Sequence, residues 1–78
     1  MKVGDMVYDL DVSDLGIIIG ESVDATVSIW WWNPAYTDGS PLETTENYSC
    51  FAEYADKPER ANFCLFNNKE KYESRGFS

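Results

Sequence analysis

Seventy-eight residues, fourteen of them acidic and none of them histidine, give a net charge of −8. A chain of this length buries only roughly 60–65% of the surface its unfolded form exposes, which leaves little room for a deep catalytic cleft. A single domain spanning residues 1–78, working through its surface, is the expectation. The charge is uneven: one basic residue, Lys2, stands against eleven acids in the first 56 positions (net −10), and five basic residues stand against three acids in the rest (net +2). Direct nucleic-acid binding, which relies on Lys and Arg neutralising phosphates, is therefore disfavoured.

In chain order, "KVGDMVYDL" places Val3, Val7 and Tyr8 around Gly4-Asp5 and reads as a first strand. "DLGIIIGES" is a short apolar run between Gly16 and Gly20, the pattern of a buried second strand. "ATVSIWWWN" carries the β-branched and aromatic residues that strands favour and reads as a third. "DVSD" and "ESVD" between them are short polar connections suited to an antiparallel meander. Pro34 ends the third strand, and Asp38-Gly39 marks a turn inside a loop running from 34 to 42 that carries Tyr36.

"ENYSCFAEYAD" fits two periods. Tyr48, Phe51, Ala52 and Ala55 fall on one helical stripe, whereas Tyr48, Cys50, Ala52 and Tyr54 alternate as a strand. The strand is preferred, stopped by Pro58 and followed by a fifth strand, "NFCLFNN", that ends at an Asn-Asn turn. A hairpin centred on Lys57 would set Cys50 opposite Cys64 and Tyr48 opposite Phe66. Whether these two cysteines, the only ones, are joined stays open; without a secretory leader the default is two reduced thiols. A short polar tail, "KEKYESRGFS", closes the chain with at most a helical turn.

With strands placed, Val3-Gly4-Asp5-x-Val7, a polar loop and Leu15-Gly16-Ile17-Ile18-Ile19 resemble the opening of KOW-like and SH3-like barrels. The resemblance covers residues 2 to about 32. It implies an all-β fold, a small five-stranded SH3-like barrel in which Gly4 and Gly16 permit tight bends. Short, acidic, Trp-rich versions of this opening are also similar in style to small proteins of tailed bacteriophages. KOW domains that bind RNA carry basic residues around the first loop. Asp9, Asp11 and Asp14 occupy it here, so RNA binding does not carry over.

Catalysis finds little footing. No histidine is present to act as a base near pH 7, and no Gly-rich phosphate loop occurs, so the chain reads as a non-enzyme with no cofactor. Asp9, Asp11 and Ser13 match the first ligand positions of a calcium loop. Asp14 then stands where Gly is required, and Gly20 where the bidentate Glu belongs, so no metal is expected.

The tryptophans carry the functional expectation. In a strand, Val27, Ile29 and Trp31 share the core face, which turns Trp30 and Trp32 to the other side. Either the tail covers them, through Tyr72 or Phe77 with Lys71 or Arg75 over the indoles, or they form an exposed patch. The patch reading makes Trp30, Trp32, Tyr36 and Asp38 the partner-binding residues, beside an acidic face of Asp9, Asp11, Asp14, Glu21 and Asp24. With the phage-like style, this points to a virion accessory subunit, a capsid-decorating or head–tail component in a homo- or hetero-oligomeric assembly. The alternative is an acidic inhibitor that imitates nucleic acid and blocks a host nucleic-acid-binding protein. The expected location is the virion or host cytoplasm. The N-terminus has no apolar leader, and no run of about 18 apolar residues suits a membrane span.

Overall fold

A computed structural model describes residues 1–32 and 40–73. The β-branched run of the second strand pairs on both sides, and the sheet grows outward from it. β1 (Met6–Asp9), β2 (Leu15–Glu21) and β3 (Thr26–Trp31) form the expected antiparallel meander. β4 (Leu42–Asn47) adds to β3 and β5 (Phe63–Leu65) adds to β1, both antiparallel, giving the order β4-β3-β2-β1-β5. A short helix, α1 (Lys69–Glu73), follows a 3-10 turn at Phe66–Asn68.

The sheet is a curled half-barrel, and its aromatic core shows the curl. Trp31 on β3 and Phe63 on β5 are three strand spacings apart, about 14 Å across a flat sheet. Their ring centroids nonetheless lie 5.4 Å apart, with Phe51 another 5.4 Å beyond Phe63. The concave side is filled by Val7, Ile18, Val27, Ile29, Trp31, Phe51 and Phe63. The Trp31 indole donates its Nε1–H to Thr44 Oγ1 at 2.9 Å, which gives its one polar atom a partner on the edge strand.

Gly4 sits at φ +96°, in the left-handed region, where the chain bends into β1. Gly16 acts differently from the expected bend. A Cβ on Gly16 would lie 2.8 Å from both Ile29 Cγ2 and Trp31 Cε3, so its missing side chain makes room for the indole.

Three expectations are corrected. The fourth strand is "LETTEN", which begins where the loop was expected to end, and not the segment after it. Its half-buried residues are Leu42, Thr44 and Glu46, so it shows little apolar alternation to signal a strand. Within the segment read as strand or helix, Glu46 and Asn47 end β4, and residues 48–55 form neither a continuous helix nor a ladder strand. They cross from the β4 edge to the β5 edge through a 3-10 turn at Tyr48–Cys50 and one parallel bridge, Phe51↔Phe63. Of the two stripes, the helical one holds the buried pair, Phe51 and Ala52. The hairpin setting Cys50 against Cys64 is absent: Cys50 O accepts from Asn62 N at 3.0 Å, Cys64 pairs with Tyr8 across β1, and both cysteines are free thiols.

Replacing Gly16 by Ala should lower the unfolding free energy by about 1–3 kcal/mol through overpacking. Gly20→Ala, whose added Cβ meets nothing nearer than Ser28 Cβ at 3.7 Å, should cost less than about 1 kcal/mol. Urea unfolding followed by tryptophan fluorescence separates the two.

Candidate functional site

The period of two turns alternate side chains of β1, β2 and β3 onto the convex face of the sheet. Register sets them in two rows. One row runs Cys64, Tyr8, Leu15, then Trp32, whose amide donates to Leu15 O at 3.2 Å. The other runs Met6, Ile17, Trp30, then Glu43 on the β4 edge.

The first row is covered at its β5 end. Tyr8 and Cys64 are buried with Ala52 and Ala61, and Leu15, Phe66 and Tyr72 pack against them. Lys69 Nζ lies 5.1 Å from the Tyr8 ring centroid, and the Tyr8 hydroxyl is 2.7 Å from Glu73 Oε2. The short helix therefore holds the tail over Tyr8. Tyr72 belongs to that cluster, with Lys71 over its own neighbouring ring at 5.3 Å. Phe77 and Arg75, the other expected covers, lie outside the described residues.

Among the described residues the opposite end is open. Trp30 is half-buried and Trp32 is 44% exposed, with rings edge to face at 5.2 Å and 78°. Each indole thus meets the other rather than Tyr72. Met6 at 40% and Ile19 at 44% extend the apolar surface. Ile19 stands out because the β2–β3 register slips between Ile18 and Gly20, leaving it without a partner across the ladder. Met6, Ile17 and Ile19 are surface contributors that the tryptophan motif alone did not signal; strict alternation along β1 and β2 would have found the first two. Tyr36 and Asp38 lie outside the described residues.

The acidic residues are distributed between two places. Asp9, Asp11 and Asp14 occupy the β1–β2 end, and Glu21 and Asp24 the β2–β3 end, separated by the seven residues of β2, about 20 Å. Several have structural duties. Asp9 Oδ1 accepts from the amides of Asp11 (2.9 Å) and Val12 (3.4 Å), closing the turn in which Ser13 adopts φ +64°. Asp9 and Asp14 are buried. Asp24 accepts from Thr26 Oγ1 at 2.8 Å in the next hairpin, and hydrogen bonds from Ser22 and Thr26 hold its carboxyl below the usual range. Glu21 receives a long hydrogen bond of 3.5 Å from the Tyr48 hydroxyl. Among the described residues no group of three or more acids or cysteines is arranged to hold a metal ion.

Burial pushes the Asp9 carboxyl above its ordinary value, the nearby Asp11 and Asp14 charges adding to this and the two amide hydrogen bonds opposing it. The folded state thus binds this proton more tightly than the unfolded chain, and Asp9 lowers stability as pH rises through the raised value. Asp9→Asn keeps the acceptor and removes the charge. The variant should match or exceed the wild type at pH 7, the gap closing as pH falls through the carboxylate range. Asp9→Ala should instead cost about 1–3 kcal/mol at pH 7 by orphaning two amides. Urea midpoints from pH 3 to 7 check both.

Comparison with known proteins adds no relative: no protein-family model, no curated protein and no solved structure matches the chain. Any reading of the convex face rests on its own geometry.

Proposed function

We propose that the protein is a non-enzymatic, SH3-like binding module that anchors a protein partner on the Trp30–Trp32 pair. The observation that carries this is the open end of the convex face, where two indoles, Met6, Ile17 and Ile19 form one apolar surface on a chain of net charge −8. Trp side chains are strong interface anchors because they desolvate a large rigid area at low entropic cost. Glu43, exposed and directly across from Trp30, puts a carboxylate at the rim of that surface. The partner that fits is a protein with an apolar recess bordered by Lys or Arg.

The finer reading is a phage virion accessory subunit, a capsid-decorating or head–tail component. It draws on the likeness of the opening residues to short tailed-phage proteins. In that role the same surface would be used many times over in one particle, so modest affinity per copy suffices. The acidic-inhibitor alternative would place the contact on the carboxylates, and ionic strength separates the two.

Affinity capture from the source cells or infection, with bound proteins quantified by mass spectrometry, tests the reading with wild type and with Trp30→Ala/Trp32→Ala. The double variant should lose at least about tenfold in captured partner, a loss of roughly 1.4 kcal/mol or more. Its cooperative unfolding should persist, since Trp31 holds the core. Capture by the wild type should change little between low and high salt. Retention by the double variant, or capture that collapses with salt, overturns the aromatic anchor.

A further inference from the structure

The basic residues of this acidic chain are not all committed to neighbours. Lys2 pairs with Asp5 at 3.5 Å and Lys69 with Glu73 at 3.1 Å. Lys57 and Arg60 have no carboxylate within 4.0 Å among the described residues. Both line the same open cavity of about 340 Å³, remote in sequence from the tryptophans. Ser49, Cys50 and Asn62 complete its polar wall, and Asp56 stands at it as the single acid.

The frame of this cavity is built from pinned backbone. Asn62 donates to Cys50 O at 3.0 Å and accepts from the Leu10 amide at 2.8 Å, which ties the far wall to both neighbouring segments. The 3-10 turn Pro58–Arg60 is closed by Arg60 N to Lys57 O at 2.9 Å and Ala61 N to Pro58 O at 3.1 Å. Ala61 is buried beneath it. Pro58 restricts the turn before any ligand arrives, so the two cations start from neighbouring fixed points of the backbone.

We propose that this cavity is an oxyanion site, taking a phosphate or carboxylate group. Arg60 offers a planar fork of donors, Lys57 a compact charge, and the Ser49 hydroxyl and the Asn62 side-chain amide are neutral donors among the lining residues. Two cations with no carboxylate partner among the described residues, beside neutral donors and in a molecule that otherwise repels anions, confine anion binding to this one place among the described cavities. Asp56 and the solvent-exposed setting limit the affinity to the weak range of exposed ion pairs. The site is separate from the Trp30–Trp32 surface and uses none of the residues that form it.

Inorganic phosphate at pH 7, titrated into the full-length protein at constant ionic strength with chloride as the control anion, tests it by backbone amide chemical shifts. Saturable changes should be confined to residues 49–62. Lys57→Gln/Arg60→Gln should weaken the response at least about tenfold, while Lys71→Gln leaves it unchanged. Both replaced side chains are exposed, and unaltered amide shifts at Val7 and Ile29 report that the core is intact. Lys57→Gln alone provides the same reading if the double variant is perturbed. Absence of a saturable response, changes scattered over the surface, or an equal response in the variants would each overturn the proposal.

Discussion

The fold depends on seating one indole. Trp31 occupies the concave side of a five-stranded half-barrel, against Phe63 of a strand three places away, with its N–H bonded to Thr44 on the edge strand. Its bulk fits only because Gly16, directly across on β2, carries no side chain. Small domains have few residues with which to fill a core, so one aromatic contributes a large share of the apolar area removed from water. The curl follows from it: a flat sheet would leave Trp31 and Phe63 too far apart to touch, and Phe51 arrives from the crossing segment to complete the aromatic row.

Seating Trp31 inward has a consequence on the other face. The residues on either side of it point outward by the strand's own period, and both are tryptophans. The convex face already has one cover, the α1 turn and Tyr72, and that cover is fixed at the Tyr8 end by Glu73 and Lys69. A five-residue helix cannot also reach across to β3. Among the described residues the indoles satisfy part of their surface against each other and leave the remainder open beside Met6 and Ile19. The apolar surface of the described residues is thus divided into a closed half, packed under the tail, and an open half centred on the two indoles.

The carboxylates belong largely to local architecture. Asp9 and Asp24 organise the two hairpin ends, and Glu53 Oε2 accepts from the Leu65 amide and the Asn68 side chain, fastening the outer edge of β5. Clustering along the sequence consequently does not become clustering in space: β2 separates the two groups of acids. Lys57 and Arg60, with no carboxylate partner among the described residues, flank one 3-10 turn, and the crossing segment brings Ser49 and Cys50 to the same cavity.

The sequence by itself determined the meander. Polar connections of four residues between β-branched runs leave antiparallel neighbours as the short route, and alternation assigns Val27, Ile29 and Trp31 to the core and Trp30 and Trp32 to the other face. Those are local properties of period and turn chemistry. The tertiary structure decided what local pattern leaves open. β4 forms from Thr and Glu because β3 offers it an unpaired edge, not because "LETTEN" has an apolar face. The segment after it is neither helix nor ladder strand because it must span from one sheet edge to the other. Which half of the convex face is covered was likewise settled by where the tail docks, since the hydrogen bond from Tyr8 to Glu73 spans 65 residues and has no signature in either neighbourhood.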